Sequence, residues 1–167
     1  PYKNVDVAIR AFDQVVKSYP NASLLIIGDG ESLSGLQKLT RELNLEKSVV
    51  FSGRVSDVQK ARTLAKSWVV LQPSMVEGWG ITVIEANAAG TPVIASDVNG
   101  LKDSVVNGQT GILVPVRDVD AFSHAMIDFI LDSKYIGAKK IYRARLYERS
   151  VGGWRQTRRH RGLASAG

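Results

Sequence analysis

A chain of 167 residues with 44% hydrophobic content and no cysteine can bury one real core and has neither disulfides nor thiolate metal ligands. No apolar run reaches the roughly 18–20 residues of a membrane span and no signal-peptide pattern opens the chain, so the expectation is a soluble, cytoplasmic domain. The net charge of +6 is unevenly placed: ten Lys/Arg against Glu148 give +9 from Lys134 onward and leave −3 over residues 1–133, so the basic character belongs to a tail.

Asn4 is placed to cap a helix whose apolar positions Val5, Ala8, Ile9, Phe12, Val15 and Val16 recur at helical spacing until Pro20. Leu24, Leu25, Ile26 and Ile27 form a short apolar run ending at Gly28-Asp29-Gly30, the pattern of a buried parallel strand. A second helix carries Leu33, Leu36, Leu39 and Leu43 on one face, and a strand follows at Val49, Val50 and Phe51, closed by Gly53. The alternation continues with a helix over 57–66, a strand over 68–71, a helix opened by Gly80 and strands over 93–95 and 112–114. Helices over 119–131 and near 139–147 complete it. Strands alternating with helices predict an α/β fold with a parallel sheet and helices on both faces, and residues 1–149 read as one domain. Residues 150–167, with Arg155, Arg158, Arg159, His160 and Arg161 and no apolar periodicity, read as a basic tail that is disordered or non-native.

Ligands of such sheets sit in the crevice beyond the carboxyl ends of the strands, which selects residues 28–30, 53–55 and 73–80. The third segment runs into the most informative stretch, Glu77-Gly78-Trp79-Gly80-Ile81-Thr82-Val83-Ile84-Glu85-Ala86. Two carboxylates eight residues apart flank a glycine-rich loop that opens a helix. Glycines without Cβ let backbone N–H groups approach a phosphate, the helix N-terminus adds partial positive charge, and ionised carboxylates accept hydrogen bonds from sugar hydroxyls. At about 100° per residue Glu85 falls within the arc of Ile81, Ile84 and Ala88, beside the expected apolar face. Periodicity alone fits a flank position reaching water as well as a ligand position. Glu77 has a minor alternative as an ordinary loop carboxylate favoured by the helix dipole, and Trp79 reads equally as simple packing. Asp118-Val119-Asp120 follows a strand and opens a helix, so capping accounts for it without a metal. His124 and His160 neighbour no nucleophile motif, and no zinc spacing is present.

Residues 73–99 resemble the E-x7-E signature of retaining, family 4 glycosyltransferases of the GT-B fold, within glycosyl transferases group 1, and the similarity extends over residues 3–147. The resemblance is to the C-terminal, nucleotide-sugar-binding half of that fold, a Rossmann-like domain. It implies transfer of a hexosyl group from a nucleoside diphosphate sugar, with uridine or guanosine as base, to a hydroxyl acceptor, without metal or other cofactor. Carried over residue by residue, it gives Glu77 the donor sugar hydroxyls, Lys3 the charge of the departing diphosphate and Glu85 the ribose hydroxyls. Gly78, Gly80, Ile81 and Thr82 would present donors to the diphosphate, and Gly28 and Val55 would pack around the base. Arg54 would stack on the base or pair with phosphate.

The partners implied are the nucleotide sugar and an N-terminal acceptor domain that this chain lacks, together with the domain's opening strand and an upstream arginine. The reading leaves room for a peripheral association of a full-length parent with the cytoplasmic membrane face. By itself the chain is expected to be inactive in transfer. Ser150-Val151-Gly152-Gly153-Trp154 departs from the family pattern, and a non-native end, from a shifted reading frame or an engineered terminus, is the expectation there. Two other readings compete: an epimerase or phosphorylase-like GT-B half, against which the ordered E-x7-E run argues, and a non-enzymatic binder of anionic polymers through residues 155–161. The tail lacks the interleaved aromatics of specific nucleic-acid recognition, so it offers only nonspecific electrostatics.

Overall fold

The structure is a computed structural model that describes residues 2–131. In chain order the elements are α1 (Val5–Ser18), β1 (Leu24–Ile27), α2 (Leu33–Glu42), β2 (Val49–Gly53), α3 (Asp57–Lys66) and β3 (Val70–Gln72). Then follow α4 (Ile81–Ala88), β4 (Val93–Ser96), α5 (Leu101–Ser104), β5 (Gly111–Val114) and α6 (Val119–Leu131). All pairing between these strands is parallel, as strands joined through helices require. The expected α/β alternation is therefore present. The predicted helix near 139–147 and the tail lie outside the described residues.

The parallel pairing is divided in two. The described strands form two ladders, β1 with β2 and β3 with β4 and β5, and no ladder joins β1 to β3. Apolar runs report burial of a strand but not which strand lies beside it, so the break was invisible in the periodicity. Both ladders nevertheless feed one core. Ile9, Phe12 and Val15 of α1 cluster with Phe122, Met126 and Phe129 of α6, and residues of β1, β2, β3, β4 and β5 pack against them. The opposite face has its own cluster, in which Val83 and Ala86 of α4 meet Leu101 and Val105. β4 divides the two: Ile94 belongs to the first, Val93 and Ala95 to the second. Side chains alternating across one strand thus place helices on both faces.

Three local expectations also change. Asn4 stands before α1 but has a left-handed backbone, φ 47°, and makes no side-chain cap bond; its Nδ2 is buried without a partner. The strand predicted to begin at Trp68 begins at Val70, with Trp68 61% exposed. On α4, the arc of Ile81 and Ile84 faces outward, 69% and 44% exposed, whereas Val83 and Ala86 are fully buried. This helix is apolar nearly all round, so its sequence marks no single inward stripe and the sheet selects one. Capping fares better: Asp118 Oδ1 accepts from the Ala121 backbone N–H at 2.9 Å, and Asp120 Oδ1 accepts from Gln14 Nε2 at 2.8 Å, tying α6 to α1. Ser56 and Gln59 form an unanticipated reciprocal capping box on α3.

Candidate functional site

The three segments that leave strand carboxyl ends supply the candidate residues. Glu77 is the most heavily bonded. Gln72, the last residue of β3, donates from Nε2 to Glu77 Oε1 at 2.7 Å, Ser74 Oγ donates to the same oxygen at 3.0 Å, and Lys3 Nζ pairs with it as well. Lys3 reaches this position because the Met75 N–H donates to the Tyr2 carbonyl at 2.9 Å, joining the segment before α1 to the loop after β3. The structure thus brings together the two residues expected to act on the sugar and the diphosphate. Gln72 and Ser74 were missed by sequence reading. A glutamine inside an apolar strand, buried beside a motif carboxylate, was the available signal, because a buried amide needs a partner.

Burial alone would push the Glu77 carboxyl up, but the bonds from Lys3, Ser74 and Gln72 and the Lys3 charge outweigh it and hold the group below the usual carboxylate range. A depressed folded value means that stability from this group is present above the unfolded value and lost as pH falls through the folded one. Glu77→Gln is therefore expected to flatten the fall in stability on acidification below the ordinary carboxylate value. Urea unfolding midpoints measured from neutral pH into that acid range check this. A wild-type curve parallel to the variant's would contradict it.

Gly80 begins α4 in the left-handed region, φ 57°, and its carbonyl accepts from the Val83 N–H at 2.7 Å. A Cβ there would lie 2.8 Å from Leu101 Cδ2, so glycine serves both the turn and the packing of α5 behind it. Gly78, Ile81 and Thr82 are exposed at this helix start, where the first N–H groups of α4 point away from the helix and carry its partial positive charge. Trp79 is 75% exposed, so it is not packed into the core of the described residues.

Glu85 lies further along α4 and is half-buried. Its Oε1 accepts from Lys60 Nζ of α3 at 2.7 Å. The bond to Glu85 pushes the Lys60 ammonium up from its ordinary value, against the smaller opposing effect of desolvation. Lys60 escaped sequence reading because nothing in the polar sequence of α3 marks one lysine over another. Each motif carboxylate thus has its own lysine.

At the other ladder, Gly28 and Gly53 form a backbone bridge, with the Gly28 N–H 2.9 Å from the Gly53 carbonyl, so the loops after β1 and β2 lie side by side. Arg54 Nε donates to Asp29 Oδ1 at 2.9 Å across these loops, and both side chains are well exposed. The hydrogen bond and charge of Asp29 push the Arg54 guanidinium up. Val55 is half-buried beside them. No hydrogen bond links this group to the Glu77 network among the described residues, which leaves two clusters at the carboxyl ends of two ladders.

The glycine-opened helix, with lysine-paired carboxylates before and within it, sits at the carboxyl end of a parallel ladder, where α/β domains hold their ligands. Comparison places it further. The chain belongs to the family of glycosyl transferases group 1, whose model matches residues 1–149. It is similar to a GDP-mannose-dependent alpha-(1-6)-phosphatidylinositol monomannoside mannosyltransferase of Mycolicibacterium smegmatis, at 32% identity over 145 residues, covering 83% of this chain and 38% of that protein. A D-inositol 3-phosphate glycosyltransferase of Streptomyces avermitilis is 36% identical over 141 residues, covering 79% of this chain and 30% of that one. Among solved structures, the sucrose-phosphate synthase of Thermosynechococcus elongatus superposes with TM-score 0.78 at 31% identity, over 88% of this chain and 38% of that one. The chain thus spans between 30% and 38% of the length of these relatives.

Proposed function

We propose that this chain is the donor-binding domain of a retaining, metal-independent glycosyltransferase, which passes a hexosyl group from a nucleoside diphosphate sugar to a hydroxyl acceptor. The observation that carries the reading is the pairing of Lys3 with an ionised Glu77 at the mouth of the glycine loop that opens α4. In this reading the sugar hydroxyls donate to Glu77, and the diphosphate lies against the N–H groups of Gly80, Ile81 and Thr82 with Gly78 allowing close approach. Lys3 then turns to the diphosphate. Negative charge grows on that group as the glycosidic bond breaks, so an ammonium and a helix N-terminus beside it stabilise the transition state more than the ground state. Glu85 accepts from the ribose hydroxyls, and the loops carrying Gly28, Arg54 and Val55 border the base. The relatives' names support a nucleotide-sugar donor, since the mannosyltransferase is described as GDP-mannose-dependent. The E-x7-E resemblance is what supports retention and metal independence.

Titration calorimetry with GDP, GDP-mannose, UDP and UDP-glucose tests these roles. Glu85→Ala is expected to weaken nucleoside diphosphate binding, and Glu77→Ala to weaken only the increment that the sugar adds, each by about 1.5–3 kcal/mol for a lost charged hydrogen bond. Equal loss of plain nucleoside diphosphate affinity in both variants would contradict the assignment.

A further inference from the structure

Every bond that Gln72, Ser74 and Lys3 make to Glu77 ends on Oε1, and none of the three reaches Oε2. The three donors differ in kind. Gln72 is 8% exposed and Ser74 fully buried, whereas the Lys3 side chain is 46% exposed. Gln72 Nε2 also donates to Ser74 Oγ at 3.0 Å, so the two neutral groups form a closed triangle with the carboxylate. Its proton arithmetic is complete: the two amide N–H groups serve Ser74 and Glu77, and the serine O–H serves Glu77. Turning the Gln72 amide over would set its carbonyl oxygen against a carboxylate, so the triangle holds only one orientation.

We propose that Gln72 and Ser74 are positioning residues that clamp Glu77 Oε1 from inside the domain, leaving Oε2 as the single acceptor presented to a donor sugar hydroxyl. The proposal rests on the assignment of Glu77 to the sugar. It gives the buried pair a task that Lys3 cannot perform, because a lysine drawn toward a diphosphate leaves the carboxylate. Two neutral donors then remain on Oε1 and keep Glu77 ionised and fixed while the charge beside it is withdrawn. A single fixed acceptor also selects among sugars: a hydroxyl of the wrong configuration meets either Oε1, whose lone pairs are already used, or no acceptor at all.

Calorimetry of Gln72→Met, which keeps the side-chain length and removes the donor, and of Ser74→Ala tests this on the full 167-residue chain. GDP, GDP-mannose, UDP and UDP-glucose are the probes, over a pH range from neutral to acid. The ratio of nucleotide-sugar to nucleoside diphosphate affinity is expected to fall about tenfold in Gln72→Met, with nucleoside diphosphate affinity retained. The pH at which the sugar increment disappears is expected to rise in both variants, because each removes a donor that favours the ionised form; Lys3 is the charged group bonded to Glu77 and is present throughout. A purely structural role would leave that pH unchanged. Should Gln72→Met fail to fold, Ser74→Ala is read by the same ratio and the same pH shift. Wild-type ratios and pH profiles in the variants would overturn the clamp while leaving Glu77 in place. A Glu77→Gln protein with the wild-type ratio would overturn the assignment of Glu77 itself.

Discussion

Replacing Gly100 by alanine is expected to destabilise the domain by about 2–4 kcal/mol and to remove the sugar-dependent part of nucleotide-sugar binding. A Cβ at this position would lie 2.2 Å from the Glu77 carbonyl oxygen and 2.5 Å from that of Gly78. Both neighbours are backbone, so the collision is relieved only by moving the loop that carries Glu77. Gly100 also has φ 83°, which a side chain adopts at a cost of about 1 kcal/mol or more. Gly111→Ala provides the contrast. Its Cβ would meet the Val93 carbonyl oxygen at 2.1 Å inside the β4–β5 ladder, away from the loop. That variant should lose stability by a similar amount and, wherever it remains folded, keep the affinity ratio. Urea midpoints together with calorimetry separate the two. A Gly100→Ala protein as stable as wild type, with unchanged binding, would show that the loop does not depend on this contact.

The dependence of Glu77 on Gly100 illustrates where sequence reading stopped. Spacing revealed the two carboxylates and the glycine loop because those residues are local, within a ten-residue window. It placed helices at 57–66 and 119–131, matching α3 and α6, because the first lies in the interval between successive apolar strand runs and, for α6, Pro115 and Asp118 mark its start. Contacts across the sheet leave no such trace. Gly100 lies more than twenty positions from Glu77, Lys60 bonds Glu85 across two helices, and Gln72 looked like an ordinary strand residue until its burial and its bond to Glu77 were visible. The apolar face of α4 went wrong for a related reason: Ile81 and Ile84 are as hydrophobic as Val83, and only packing against Leu101 and the sheet decides which side turns inward. The break between β1 and β3 likewise concerns pairing, which an apolar run does not encode. Periodicity reads Lys3 as a solvent-facing lysine near a terminus; its side chain is 46% exposed and pairs with Glu77, a contact across 74 positions that no local pattern encodes.

The 167 residues by themselves are expected to bind nucleoside diphosphates and their sugars and to transfer no sugar. In the proposed reading donor binding draws on the α4 N-terminus, Glu77, Glu85 and Lys3, all attached to a domain with a continuous core. Transfer asks for more, because the acceptor hydroxyl must be held in attack geometry against the anomeric carbon. Holding both reactants in place accounts for about 7–11 kcal/mol of barrier reduction in favourable cases, a rate factor on the order of 10⁵–10⁸. The groups assigned above are all assigned to the donor, and the segment of this chain that matches the relatives covers only 38% and 30% of their length. Lys3 and the helix terminus can stabilise a departing diphosphate, so slow hydrolysis of the donor by water is compatible with the isolated chain; glycosylated product is not. Incubation with GDP-mannose or UDP-glucose and candidate hydroxyl acceptors, following diphosphate release and product formation separately, distinguishes the two. Multiple-turnover glycosylation by the 167-residue chain would show that its own residues bind the acceptor, and the division between a donor-binding and an acceptor-binding half would have to be abandoned.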